Sequence, residues 1–180
     1  MSLSVKERGT AVATHRYVMV KLMETLARWV PTTPEMEVKL LFGSHIWDFA
    51  QHADALGKRT HELRMALQHS LPPIPDYREL LDEVDAITDT ASRISAFYDV
   101  LLPGIGARLR AYLDLTDDLM DGPTVRIVDR ILYDHLRMMR ECEQLRGEFP
   151  ALRPASEPIA DLRRREGGLG YVDGGAAASA

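Results

Sequence analysis

The chain has little of several features that define common protein classes. Cys142 is its single cysteine among 180 residues, so no disulfide can form within the chain, as is usual in a reducing cytoplasm. No stretch approaches the ~20 apolar residues that a membrane span needs. The first ten residues also lack the apolar core of a secretory signal. The sequence therefore predicts a cytoplasmic protein with no membrane partner.

Excess positive charge and the common catalytic motifs are missing too. The chain carries 22 basic and 27 acidic residues, a net charge of -5, and the basic residues form no stripe along it. This balance argues against a nucleic-acid partner, which needs a basic face. No Gly-x-Ser-x-Gly, His-Glu-x-x-His or Cys-x-x-Cys motif occurs. Several hydrolase and redox classes therefore lack their sequence signature.

What the chain does contain is apolar residues at helical spacing, with no strand-like alternation. The pattern predicts four long helices, over residues 10–30, 34–69, 76–113 and 123–149. The third is interrupted near Pro103. Long amphipathic helices with short connections predict an all-α fold, an up-down-up-down four-helix bundle that forms one domain over residues 1–149.

Residues 150–180 are rich in Pro, Arg, Gly and Ala and predict an extended or disordered tail without a core of its own. One segment of the tail stands out, because three arginines at 163–165 precede a glycine-rich stretch with Leu169 and Tyr171. Two interpretations remain open for it. It is either a short docking segment with those two anchors or a flexible end with no role.

Four of the six histidines fall on the apolar faces of predicted helices: His15, His45, His52 and His135. A buried ring nitrogen without a partner costs free energy, so this recurrence needs an explanation. Counting residues from the helix ends, with the fourth helix parallel to the second, predicts that the four rings lie in one layer. Asp48 and Tyr98 are predicted at the same level.

Two explanations of this layer remain open. Imidazole and carboxylate groups suit iron, zinc, manganese or copper, and bundle cores commonly hold such metals. In this interpretation His45, Asp48, His52 and His135 are the ligands, with His15 as a further ligand or a group behind them. Tyr98 would donate a proton or a hydrogen bond. Alternatively, side-chain carboxylates or carbonyls satisfy the histidines and no metal binds.

The segments 40–53 and 130–138, on the second and fourth helices, resemble those of the ferritin-like superfamily of four-helix bundles. In the di-metal members of that superfamily, the second and fourth helices each carry Glu-x-x-His and the other two each add a Glu. Here His45 and Asp48 stand at one pair of positions, and His135 and Met138 at the other. The resemblance implies a bundle with a cavity at mid-height and a changed or lost ligand set.

Two functions follow as hypotheses. The first is a metal-dependent enzyme, an oxidoreductase that acts on a small-molecule substrate held between the helices. The second is a non-catalytic bundle that has lost its metal centre and works as a binding or assembly protein. Trp47 and Met65 point away from the predicted core. They are either scattered apolar residues of the surface or a patch for a homo-oligomer, most simply a dimer.

Overall fold

The computed structural model describes residues 3–153 and 157–170, and within them every regular element is helical. This confirms the all-α prediction. The α-helices of these residues are α1 (Val5–Trp29), α2 (Met36–Glu62), α3 (Pro75–Asp85), α4 (Thr90–Ile94), α5 (Leu102–Leu115), α6 (Asp118–Glu148) and α7 (Glu157–Gly168). A π-helical segment, Ser95–Leu101, joins α4 to α5 without a break.

The first two helices form an antiparallel pair. Near their connection the rings of Trp29 and Phe42 are 5.7 Å apart. Towards the other end Gly57 lies so close to the side chain of Arg16 that an added Cβ would clash with it. Each helix buries one apolar stripe in the common core, as helical spacing requires.

The second helix ends at Glu62, seven residues before the predicted end at position 69. Arg64 takes a left-handed conformation with φ of 65°, and the amide of Met65 donates to the carbonyl of Thr60 at 3.0 Å. This is the Schellman arrangement that closes a helix, here without the usual glycine. Met65 consequently lies beyond α2 and packs against Gly9, so it does not share a surface with Trp47.

The predicted third helix is two helices that run in opposite directions. The chain turns at residues 86–89, between α3 and α4. α3 runs parallel to α1, because Lys21 pairs with Asp82 at 2.6 Å and Arg28 with Asp85 at 3.1 Å. Pro103, where an interruption was predicted, lies instead inside a continuous helical run, just after the π-helical segment.

Residues 90–115 therefore return alongside α2 in the same direction. Tyr98 lies beside His45 near the start of this run, and Tyr112 and Arg59 share Asp121 near its end. α6 then runs back antiparallel to α2, so the predicted parallel arrangement of the second and fourth helices is wrong. The four long runs point up, down, down and up, joined by one long crossover that contains α3.

The predicted tail contains a docked helix, α7. Its Ile159 and Leu162 are buried in the same core cluster as the long helices. Glu166 is buried against Arg108, whose guanidinium also donates to the carbonyl of Leu169 at 2.9 Å. An extended tail is therefore wrong for residues 157–168, while Tyr171 lies outside the described residues. Across residues 3–153 and 157–170, no helix is both long enough and apolar enough to cross a bilayer.

Candidate functional site

Three side-chain pairs cross the interface between α2 and α6 at regular intervals, and we call them the ladder. Each helix contributes positions i, i+3 and i+7, which fall on one face. Because the helices are antiparallel, the first residue of one set meets the last of the other. The pairs are His45–Glu141 at 2.8 Å, Asp48–Arg137 at 2.8 Å and His52–Asp134 at 2.9 Å.

A hydrogen-bond chain runs from the first pair into the core. The carboxylate of Glu141 can only accept, so the Nε2–H of His45 donates to it. The remaining Nδ1 of a neutral His45 then accepts from the hydroxyl of Tyr98 at 2.7 Å. Burial raises the pKa of Tyr98 well above its ordinary value, so the phenol remains protonated. Tyr98 itself comes from the π-helical segment, a feature that is common at functional sites.

Arg137 lies at the centre of the ladder, and Arg130 approaches one end of it, 3.8 Å from Asp134. Its guanidinium reaches Asp48 at 2.8 Å, Glu141 at 3.0 Å and Asp134 at 3.4 Å. The hydrogen bond to Asp48, with that to Glu141, raises the pKa of Arg137 although burial opposes it. One guanidinium therefore serves three carboxylates, in the multidentate manner that suits arginine better than lysine.

The charge states of the ladder follow from these contacts. Burial alone would raise the pKa of Glu141 and of Asp134, but hydrogen bonds from the histidines and from Arg137 lower both below their ordinary values. Burial lowers the pKa of His45 and of His52, despite the neighbouring carboxylates. Near neutral pH the ladder thus combines ionised carboxylates with neutral imidazoles.

Three buried ring nitrogens of His52 and its neighbour His135 have no hydrogen-bond partner among the described residues: His52 Nδ1, His135 Nδ1 and His135 Nε2. The rings of His52 and His135 are 5.9 Å apart, and Phe49 contacts both. Burial, with the nearby His52, lowers the pKa of His135 to about 3. Each unpaired buried nitrogen costs about 1–3 kcal/mol, so this point is where a polar ligand or a water would gain most.

His15 does not join the layer, contrary to the prediction. Its ring lies 6.1 Å from that of Tyr112, and burial together with the charge of Arg108 lowers its pKa to about 4. The contact of Gly57 with Arg16 explains the difference. Position 15 of α1 faces α2 about five residues beyond His52, which is roughly 7–8 Å along the axis.

Counting residues placed His135 at the level of His52 although the assumed helix direction was wrong. His135 is close to the middle of α6, so reversing that helix leaves its level almost unchanged. Sequence reasoning missed Asp134, Arg137 and Glu141 as site residues. Their signal was the spacing i, i+3, i+7 with charges complementary, in reverse order, to those of the triplet on α2.

The observed donor set does not fit the carboxylate-rich metal centre that the ferritin-like resemblance implies. All three carboxylates of the ladder are bound to Arg137, and both ring nitrogens of His45 are engaged. Within residues 3–153 and 157–170, no three His, Cys, Asp or Glu side chains are grouped as metal ligands. A metal would have to displace the guanidinium before it could use the carboxylates.

The outer surface of α2 is the second candidate for function. Between positions 38 and 50 its exposed residues are Leu40, Gly43, Ser44 and Trp47, and none of them is charged. Leu40 is 68% exposed and Trp47 is 67% exposed. A Cβ at Gly43 would meet nothing within 4 Å, so the surface between the two large side chains is open. We call these four residues the α2 face.

No family model, no curated protein and no solved structure matches the chain. The interpretation of the site therefore rests on the geometry described above.

Proposed function

We propose that this chain is a non-catalytic, ferritin-like bundle that has lost its metal centre and works by association with a second copy of itself. The contact of Arg137 with all three ladder carboxylates is the observation that carries the proposal. Where a metal centre would need anionic oxygens, the chain supplies its own cation. The ladder then contributes to packing α2 against α6 and leaves binding to the surface.

The ferritin-like part of the proposal rests on connectivity. Ferritin-like bundles differ from simple up-and-down bundles by one long crossover connection. Here residues 63–89, which include α3, connect two helices that point in the same direction. The order up, down, down, up therefore supports the resemblance better than the alternating order predicted from the sequence.

The α2 face supports a second copy as the partner. Leu40 and Trp47 lie seven residues apart, about two helical turns, with Gly43 and Ser44 between them. A two-fold axis through this midpoint would place each Trp47 against the partner's Leu40, which is the self-complementarity that a symmetric dimer requires. Because Gly43 has no side chain, the two helices could approach closely at this position.

Sedimentation velocity and light scattering over a concentration series test this proposal. We expect a dimer in the micromolar range for the unmodified chain. Trp47→Ala with Leu40→Ala should weaken association at least about tenfold, because large apolar anchors dominate such interfaces. Leu119→Ala is the matched control, since Leu119 is 91% exposed but lies on α6 away from this face. A monomer at all concentrations, or an equal effect of the control, would refute the proposal.

The metal-dependent oxidoreductase remains the second candidate, because the unpaired nitrogens of His52 and His135 favour it. In that case these rings would be the first ligands of iron, zinc, manganese or copper, and Tyr98 would be the nearby hydroxyl donor. Metal analysis of protein purified without added metal tests it. A stoichiometric metal that disappears in a His52→Ala, His135→Ala double variant would favour this candidate over the first. Trace metal that is unchanged in the double variant would exclude it.

A further inference from the structure

We propose that the surface beneath α7 is a docking site for an amphipathic, acidic helix of a partner protein, and that α7 covers this site as the chain's own competitor. The surface is formed by α3, the π-helical segment and α5, and we call it the α7 groove. It is separate from the α2 face, so the inference goes beyond the association proposed above.

α7 presents a single face to the groove. Among its described side chains only Ile159, Leu162 and Glu166 are buried, and the spacing i, i+3, i+7 places them on one side of the helix. The arginines at positions 163–165 are exposed. Grooves that bind helical peptides recognise anchors at this spacing. The α7 groove thus accepts a helix with two apolar anchors and one carboxylate.

A cation held by the rest of the fold selects the carboxylate. Arg108 is 7% exposed, and its guanidinium stacks on the ring of Tyr77 at 4.6 Å, so α3 and α5 position it without α7. It donates to the carboxyl group of Glu166, to the carbonyl of the same residue at 3.2 Å and to that of Leu169 at 2.9 Å. A carboxylate and a helix C-terminus both favour a guanidinium. A helix without the carboxylate would leave a buried cation unpaired.

α7 does not fill the groove. A cavity of about 310 Å³ beside its first turns is lined by Ile87 and Leu162, among others. A second cavity of about 310 Å³ beside its last turn is lined by Ala107 of α5 and by Leu169. A helix with larger side chains at these points would bury apolar surface that α7 leaves open. This gain lets a partner displace α7, which competes at the high effective concentration of a tethered segment.

Fluorescence anisotropy with a labelled synthetic peptide of residues 157–170 tests the inference. The receptor is the full chain with Ile159→Ser, Leu162→Ser and Glu166→Gln, which undocks α7 and leaves the groove unaltered; we call it the open variant. We expect the peptide to bind the open variant at least about tenfold more tightly than the unmodified chain, whose α7 competes.

Three changes in the peptide test how the groove recognises it. Glu166→Gln should weaken binding to the open variant at least about tenfold, because Arg108 would lose its carboxylate. Arg163→Gln is the matched control on the exposed side and should leave binding unchanged. Leu169→Phe should strengthen binding at least about threefold, because the ring fills the second cavity. No gain from Leu169→Phe would overturn displacement by a partner.

A folded open variant that binds the peptide no better than the unmodified chain, or that binds the Glu166→Gln peptide equally well, would overturn the inference. If the open variant is unfolded, the peptide must restore its folding, and failure of this rescue would overturn the inference too. Mixing the open variant with the otherwise unmodified chain, with Leu40→Ala and Trp47→Ala in both, tests a second copy as the occupant. A complex in that mixture would assign the groove to another copy's α7 and overturn the choice of a partner protein.

Discussion

Two buried tyrosines allow a sharp test of the hydrogen-bond chain that ends in the core. Tyr98 is 2% exposed and its hydroxyl donates to His45, whereas Tyr77 is fully buried and its hydroxyl has no partner among the described residues. Tyr98→Phe and Tyr77→Phe remove the same atom from similar surroundings. Their effects should differ in sign, because only one hydroxyl is paired.

The expected magnitudes follow from these contacts. Tyr98→Phe leaves His45 Nδ1 buried without a donor, which should lower the free energy of unfolding by about 1–3 kcal/mol. Tyr77→Phe removes an unsatisfied buried hydroxyl and keeps the ring on which the guanidinium of Arg108 stacks at 4.6 Å. We therefore expect no loss of stability, or a gain of up to about 1 kcal/mol.

Urea denaturation at neutral pH, monitored by circular dichroism, measures both changes. The m-values should be equal, so that differences in midpoint report stability alone. For a chain of this size the loss in Tyr98→Phe corresponds to a fall in melting temperature of roughly 2–12 °C. Equal losses in the two variants, or a larger loss in Tyr77→Phe, would refute the assigned hydrogen bond and with it the neutral tautomer of His45.

Two further predictions concern pH and the docking of α7. The pKa of His135 is about 3 in the fold against 6.5 unfolded, so its contribution to stability is complete above pH 6.5 and is lost as the pH falls towards 3. Between pH 6.5 and 5, the free energy of unfolding of His135→Phe should therefore fall by about 2 kcal/mol less than that of the unmodified chain, as measured by urea denaturation at each pH. Gly104→Ala should release α7, seen as faster proteolysis and a loss of about 1–3 kcal/mol, because its Cβ would collide with the carboxyl group of Glu166. Gly147→Ala has open space and should gain up to about 1 kcal/mol, and equal effects of the two glycine changes would contradict the docking contact.

Helical periodicity was sufficient to predict the all-α class, because it reports which residues are buried and the long helices bury continuous stripes. It did not reveal where the chain reverses. The turn at residues 86–89 contains no proline or glycine, and the apolar positions of α3 and α4 fall on one continuous pattern across it. Pro103, the strongest local breaker in this region, lies inside a continuous helical run instead. The direction of every later helix depends on that one turn.

The candidate site was predictable in part, because helical periodicity shows which side chains are buried. The burial of His45, His52 and His135 follows from phase on a single helix, which the sequence reveals directly. The partners of these rings depend on helix direction, which the sequence left undetermined. Glu141 reaches His45 only because α6 runs antiparallel to α2. The hydroxyl of Thr90 donates to Glu35 at 2.9 Å, so the starts of the two parallel helical runs lie at the same level. Tyr98 and His45, at similar distances from those starts, therefore lie side by side.

The mirrored order of charges on α2 and α6 also restricts how the two helices can slide. If α6 moved by one turn so that position 137 faced His45, Asp48 would face Asp134, two acidic groups in contact. His52 would then face Arg130, and no pair of the ladder would join an acidic side chain to a basic one or to a histidine. Apolar stripes alone tolerate such a slip, since one leucine replaces another at little cost. The half-buried charges thus select a single alignment of the two longest helices during folding, whatever ligand the protein binds.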